Sequence, residues 1–128
     1  MKQSFLLLAA IGLVPIALSY GAAPQKSLPF LFGVSVDGIN DAHIFRAVMG
    51  LYLALIVFWI AGAAKPDLTS PALWSLVVFM FGLAGGRLLS LALDGWPHWL
   101  LVGYLVLEVA FGLAGLQLLK TMKPPRPE

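Results

Sequence analysis

The chain has 128 residues, of which 60% are hydrophobic and only 11% are charged, and its formal net charge is +2. A soluble globular domain carries about 25% charged residues, so this composition excludes a water-soluble fold and indicates a single membrane domain. The lack of cysteine excludes disulfides and thiolate metal sites, and the small positive charge favours lipid headgroups over nucleic acid as a partner.

Four apolar segments follow one another along the chain, each about the 20 residues that an α-helix needs to cross the hydrocarbon core of a bilayer. These predicted spans cover residues 4–23, 42–64, 71–93 and 97–119. The segment 24–41 is half apolar, and we expect it to lie on the outer membrane surface or to fold over the mouth of the bundle. Residues 120–128 form a basic tail. The predicted fold is therefore all-α, a single domain over residues 1–128 that forms an integral membrane bundle of four transmembrane helices.

The first span has a second interpretation, because it also resembles a secretory signal. Lys2 precedes an apolar run that ends in the small residues Gly21, Ala22 and Ala23. Pro24 disfavours cleavage after these residues, and the length and flanks of the segment favour a retained span. Cleavage would leave three spans and would not change the sidedness of the others.

The positive charges near the span ends predict the orientation in the membrane. Five of them fall on one side if four spans are present: Lys2, Lys65, Lys120, Lys123 and Arg126. Lys26 falls in the loop on the other side. Both termini are therefore predicted to be cytoplasmic. Trp59 and Trp74 are expected to lie in the aromatic belt near the cytoplasmic interface.

Three charged residues lie within the apolar segments, and they are the main candidates for a functional site: Arg46, Arg87 and Glu108. A carboxylate inside a span is costly, so it normally faces a partner, a cavity or water. Helix rise places Arg87 about 10 Å and Glu108 about 15 Å below the outer ends of their helices, and an arginine side chain is long enough to cover part of the difference. Ser90 and Asp94 share the face of Arg87. The sequence therefore predicts a polar cluster of these five residues in the outer half of the bundle.

This cluster has two interpretations. Arg87 could pair with Glu108, and Arg46 with Asp94 or Asp41, which would neutralise charge and set the helix register. The residues could instead line a polar pocket that opens outward and takes an anionic or headgroup-bearing ligand, because two arginines against one deep carboxylate leave positive charge available. No phosphate loop, nucleophile elbow or zinc motif is present, so the sequence predicts no catalytic residue, cofactor or metal site.

Small residues recur at helical spacing on three of the predicted spans. Such stripes let helix backbones approach closely in lipid, where there is little hydrophobic drive between helices. The positions predicted to pack against other helices are Gly50, Gly82, Gly86, Gly112 and Gly115. The contacts could lie within the chain, which four short helices need first, or on the face of a homodimer. Gly62 lies off the main stripe, and a large side chain is expected to be tolerated better there than at Gly86.

One further pattern extends over most of the chain and is strongest from Phe45 to Glu108. Its parts are, in chain order, Phe45-Arg46-Ala47, Gly50-Leu51-Tyr52, Gly86-Arg87-Leu88-Leu89-Ser90, Asp94-Gly95-Trp96-Pro97 and Glu108. This order resembles a bacterial family of small four-helix membrane proteins of unknown function. The resemblance implies four spans and a bacterial inner (cytoplasmic) membrane. It implies no activity, and a fold alone does not specify one.

The leading functional hypothesis is a non-enzymatic integral membrane protein of the lipid bilayer that associates with itself or serves as an accessory subunit of a larger membrane complex. It depends on the small-residue stripes and on the lack of a catalytic motif. The rival hypothesis is binding or transport of a small anionic or lipid-like molecule by Arg46, Arg87 and Glu108. A third hypothesis is a membrane enzyme that uses Glu108 as a proton-transfer group.

Overall fold

The polypeptide is helical along most of its length, because backbone in a membrane must satisfy its hydrogen bonds internally. The computed structural model describes residues 1–122, and this range contains five α-helices and no strand. The helices are α1 (Lys2–Gly21), α2 (Pro24–Phe32), α3 (Ile39–Ala64), α4 (Pro66–Asp94) and α5 (Trp99–Thr121). All but α2 are long and apolar enough to cross a membrane. The predicted all-α fold with four spans is confirmed, and the chain is a multi-pass membrane protein.

The long helices begin or end a few residues away from the predicted spans. α4 begins at Pro66 and contains Pro71, where the third span was predicted to begin. A proline fits the first position of a helix, because no backbone N–H is needed there. α5 runs through Thr121, so the predicted tail 120–128 begins within a helix, and its residues 123–128 lie outside the described range.

Consecutive long helices pack side by side, so that α1 packs chiefly on α3, α3 on α4, and α4 on α5. α1 and α5 lie at the two ends of this row, and they contact each other much less than consecutive long helices do. One of their contacts is the stacking of Phe5 on Phe111, whose ring centroids lie 5.5 Å apart. The limited contact leaves a cleft between α1 and α5, and this cleft positions the candidate site.

The core lies where α1, α3 and α4 meet. The buried apolar residues of α1 recur at helical spacing and share one face. They are Leu6, Ala9, Ala10, Leu13 and Ala17. The small side chains among them let α1 lie close to α3. α1 is therefore an integral part of the bundle rather than a peripheral segment.

Trp59 lies in this core and not in the aromatic belt predicted from the sequence. Its side chain is fully buried, and its indole Nε1 donates a hydrogen bond to Ser75 Oγ at 3.0 Å. Ser75 Oγ in turn donates to the carbonyl oxygen of Ala72 at 2.7 Å. A buried indole N–H needs a partner, and because α4 supplies one, Trp59 can face inward. Trp74 is exposed, as expected of a belt residue.

α2 is a short helix in the segment 24–41, where the sequence predicted an apolar loop. Pro24 occupies its first turn, and Gly33 ends it in the left-handed region with a φ of 69°. Leu28 is buried, whereas Phe30 is exposed. Contacts with α1 and α3 place this helix across one end of the bundle, which we call the α2 end.

Close approach between helices occurs at some of the predicted glycines and not at others. A Cβ atom on Gly112 would lie 2.8 Å from Phe81, and one on Gly115 would lie 2.9 Å from Val77, so α5 packs tightly on α4 at both positions. The predicted contacts at the other three glycines are absent within residues 1–122, because these positions face away from neighbouring helices. They are Gly50, Gly82 and Gly86.

The structure contradicts the expectation that a large side chain would be tolerated better at Gly62 than at Gly86. Gly62 is buried, and an added Cβ would collide with the Cβ of Ala72 near the start of α4. It would also lie 3.1 Å from the carbonyl oxygen of Leu68. The short connection through Lys65 brings the end of α3 against the first turns of α4. A position off the predicted stripe is therefore the crowded one.

Candidate functional site

α4 and α5 bring Arg87 and Glu108 together as an ion pair inside the bundle. Nε of Arg87 lies 2.9 Å from each carboxylate oxygen of Glu108 and donates to both. The Glu108 side chain is 8% exposed and that of Arg87 is 21% exposed. A carboxylate at this depth is costly without a partner, so the pair relieves the penalty of an isolated buried charge. Two residues of the predicted polar cluster thus meet.

Three tyrosines surround this ion pair, and they are all the tyrosines of the chain. Arg87 Cζ lies 5.7 Å from the ring centroid of Tyr104 on α5. Tyr52 of α3 lines the same cavity as the ion pair. Tyr20 of α1 packs edge-on against Tyr52, with ring centroids 5.7 Å apart, and lies close to the guanidinium. An aromatic face attracts a cation, so Tyr104 helps to hold Arg87 in place.

The sequence pattern placed none of these three tyrosines in the predicted polar cluster. Tyr104 precedes Glu108 by one helical turn and so shares its face of α5, and this spacing could have predicted Tyr104 as a residue of the site. Tyr20 and Tyr52 reach the site from other helices, which no local spacing reveals.

A cavity of about 90 Å³ adjoins the ion pair. Its wall is apolar apart from the ion pair and two of the tyrosines. Gly12 of α1 and Leu107 of α5 line the cavity and are also exposed on the outside of the bundle, so its mouth lies in the cleft between these helices. This mouth faces the side of the bundle, where the hydrocarbon of a membrane would lie.

The α2 end of the site is covered by aromatic rings. The ring centroid of Phe32, at the end of α2, lies 6.1 Å from that of Tyr104 and 6.2 Å from that of Tyr20. Phe32 also lies edge-on to His98, with centroids 6.2 Å apart. One of the two interpretations of the sequence was a pocket that opens outward; this cavity opens sideways instead, because α2 folds over the end of the bundle.

Arg87 keeps most of its hydrogen-bonding capacity. A guanidinium carries five N–H donors; within residues 1–122 its Nε–H bonds Glu108, and the neighbouring Tyr20 hydroxyl can accept one more. No fully buried side-chain nitrogen or oxygen of this range lacks a partner, so the two terminal nitrogens reach accessible space. Arg87 lines the cavity between α1 and α5 and a second cavity of about 90 Å³ beside Ser90. The guanidinium therefore presents unused donors to a mostly apolar space.

The other members of the predicted cluster lie apart from the ion pair. Ser90 and Asp94 are exposed near the end of α4, and Ser90 Oγ donates to Asp94 Oδ2 at 2.8 Å. Arg46 is exposed, and its Nη1 donates to the carbonyl oxygen of Gly21 at 3.1 Å. Arg46 makes no ion pair with Asp94 or Asp41 in the described part of the chain. The partial negative charge at the C-terminal end of α1 attracts this cation instead.

A known family of sequences covers this site and nearly the whole bundle. The model of a domain of unknown function, DUF4345, matches residues 1–119. The chain belongs to this family. The match includes both members of the ion pair, and it confirms the resemblance to an uncharacterised family. No curated protein and no solved structure matches this DUF4345 chain.

The DUF4345 site combines a guanidinium, a carboxylate and phenol hydroxyls with an apolar cavity. Within residues 1–122, no group of three or more His, Cys, Asp or Glu residues is placed to hold a metal ion. Apolar walls with a few convergent polar groups are typical of small-molecule sites. The arrangement is suited to noncovalent binding of a molecule that has a polar head and an apolar body.

Proposed function

We propose that this protein binds a lipid-like molecule in the cavity between α1 and α5, with the polar head of the molecule at Arg87. The observation that carries the proposal is the set of unused N–H donors of Arg87 beside an accessible, mostly apolar cavity. In such sites the polar groups orient a ligand, and the apolar walls supply contact area. The N–H donors of Arg87 that Glu108 and Tyr20 leave free are available to a ligand.

The route of entry supports a lipid-like ligand. The mouth of the cavity lies between Gly12 and Leu107 on the side of the bundle. α1 and α5 touch little, so the apolar body of a ligand could lie in the cleft while its head occupies the cavity. A molecule dissolved in the hydrocarbon reaches this mouth without crossing the aromatic cover that Phe32 forms at the α2 end.

Photo-labelling in proteoliposomes tests this proposal. The probe is a hexadecanoate ester that carries a diazirine in its chain, and labelled positions are read by mass spectrometry of peptides. We expect saturable labelling of peptides that contain Gly12 or Leu107, because these residues line the mouth. Non-saturable labelling spread evenly over all four spans would contradict the proposal, because contact with bulk lipid gives that result.

A matched pair of substitutions on α5 separates the cavity from general lipid contact. Leu107→Trp fills the mouth, whereas Leu113→Trp adds the same side chain at a position that does not line the cavity. The two leucines are 51% and 55% exposed, so they are equally accessible to lipid. We expect the first variant to remove most of the saturable labelling and the second to leave it. Equal loss in both variants would count against a specific site.

A structural role is the second candidate, and the exposed glycine face of α4 favours it. A Cβ added at Gly82, Gly85 or Gly86 would meet no heavy atom within 4 Å in the described chain, and all three positions are exposed. In lipid, such a face lets another helix approach closely. We propose that α4 packs through this face against a second copy of the chain or a subunit of a larger membrane complex.

The mass of the protein after mild detergent extraction tests the structural role. Gly86→Leu is expected to lower the assembled fraction. Gly103→Leu on α5 is the control, because Gly103 is also exposed and has nothing within 4 Å of an added Cβ. A strictly monomeric wild-type protein without co-purified partners would exclude this role, and so would equal assembly of wild type and Gly86→Leu.

We also propose that the protein lies in a bacterial inner membrane with both termini cytoplasmic. The distribution of positive charge at the ends of the spans supports this orientation, since most of the lysines would lie on the cytoplasmic side. The resemblance noted in the sequence supports the type of membrane.

A further inference from the structure

We infer that the head of the bound molecule is uncharged and carries carbonyl-type hydrogen-bond acceptors. The inference rests on the proposed binding function and names the class of ligand for the same site. That class is an uncharged amphiphile with an ester, ketone or quinone-type head. Two properties of the site lead to it, the balance of its charges and the kind of hydrogen-bonding groups that it leaves unused.

The charges that line the cavity cancel. Arg87 and Glu108 are the charged residues in its wall, and they contact each other at 2.9 Å. The Glu108 side chain is 8% exposed, so water screens the pair poorly. A charged head would add a net charge at this depth without a partner of opposite sign, and an unpaired charge in the membrane interior is strongly disfavoured. The electrostatics therefore select against anions and cations alike.

The hydrogen-bonding groups that the site leaves free include several donors: the terminal nitrogens of Arg87 and the tyrosine hydroxyls, which can also accept. The terminal nitrogens of Arg87 can only donate. The hydroxyls of Tyr52 and Tyr104 also lack a hydrogen-bond partner within residues 1–122, and neither oxygen is fully buried. Glu108 is the acceptor of the site; its two oxygens share the single Nε–H of Arg87, so the carboxylate keeps acceptor capacity beside these donors. A head that brings acceptors without charge would satisfy these donors.

A carboxylate head is the strongest alternative, because guanidinium groups bind carboxylates well. It would have to compete with Glu108, which already lies at hydrogen-bond distance from Arg87. Two carboxylates would then face a single guanidinium, and like charges that share a site disfavour each other. Such a ligand would require Glu108 to take up a proton or to move away. An uncharged head requires neither.

Three probes with the same diazirine-bearing hexadecyl chain and different heads test the inference. The heads are a methyl ester, a carboxylate and a trimethylammonium group. Each probe is titrated by mole fraction into proteoliposomes of the wild-type protein at alkaline pH, where the carboxyl head is ionised. We expect the ester to half-saturate the labelling of peptides containing Gly12 or Leu107 at a mole fraction about tenfold lower than either charged probe, which corresponds to about 1.4 kcal/mol.

Glu108→Gln checks the charge argument directly. Arg87 contributes +1 and Glu108 contributes −1 to the cavity wall, so the substitution changes its formal charge from zero to +1. We expect the preference to move from the ester to the carboxylate probe in this variant. Leu113→Trp, which lies off the cavity, should keep the wild-type order of the three heads.

The outcomes separate the head-group inference from the binding function. Saturable labelling of the wild-type cavity by a charged probe at an equal or lower mole fraction than the ester would overturn the uncharged head and leave the binding function standing. The lack of saturable labelling with all three probes would overturn both. If Glu108→Gln does not fold, the comparison of the three probes on the wild-type protein still decides whether the preferred head is uncharged.

Discussion

Removal of the negative charge of Glu108 is expected to destabilise the bundle by about 3 kcal/mol. Breaking a buried ion pair by removing one partner typically costs about 3–5 kcal/mol, because the other charge is left unpaired. The lower end applies to Glu108→Gln, since the Arg87 side chain is 21% exposed and so is not fully buried. Glutamine also retains an oxygen that can accept a hydrogen bond from Nε.

The double variant Arg87→Met with Glu108→Gln is expected to recover most of this loss, because no unpaired charge remains. Unfolding of the wild type, both single variants and the double variant in mixed detergent micelles, followed by helix content, completes a double-mutant cycle. Each single variant leaves one charge unpaired and the double variant leaves none, so we expect the summed losses of the single variants to exceed the loss of the double variant by about 3 kcal/mol or more, the upper end of the range for residues in direct contact.

Asp94→Asn is the matched control for this cycle. It removes a carboxylate of the same predicted cluster, but Asp94 is exposed and its hydrogen bond is with Ser90 on the same helix. We expect little change in stability from this control. If the losses of the two single variants at Arg87 and Glu108 simply add in the double variant, the two side chains are not coupled, and the ion pair at the centre of the candidate site is refuted.

Three further predictions concern the packing and the topology. Gly62→Leu is expected to lower the free energy of unfolding by about 1–3 kcal/mol because the position is crowded. Gly86→Leu should leave the thermal unfolding of the monomer in detergent unchanged. Equal effects of the two substitutions would contradict the packing described for these glycines. Ser75→Ala should lower stability by about 1–3 kcal/mol, since it leaves the buried N–H of Trp59 without its partner, and unchanged unfolding would show that this bond is unimportant. A reporter fused at the C-terminus should be active only in its cytoplasmic form, and activity in its periplasmic form would contradict the predicted orientation.

Much of the architecture was predictable from the sequence, because the length and hydropathy of a segment are local properties. The four spans and the all-α fold follow from them. The contact between Arg87 and Glu108 could also be predicted from the sequence, since helix rise gives the depth of each residue and an arginine side chain is long. The helix α2 had its own local signals, Pro24 at the start and Gly33 at the end, but its short length left it inside a predicted loop.

The face that each span turns toward its neighbours was decided only by the tertiary structure. Gly112 and Gly115 lie against α4, whereas Gly82 and Gly86, at similar helical spacing, face outward. Lipid hydrocarbon is as apolar as the side chains themselves, so apolar residues surround each span and their spacing does not reveal which face is buried.

The candidate site also depends on which face each span turns toward its neighbours, and the sequence does not reveal this. Tyr20, Tyr52 and Tyr104 come from three different helices and meet at one ion pair, and Arg46 turns to a carbonyl group of α1 rather than to a carboxylate. These contacts join residues that lie far apart in the sequence. The sequence alone determined how deep each polar residue lies along its helix, and only the packing of the helices determined the direction in which it points.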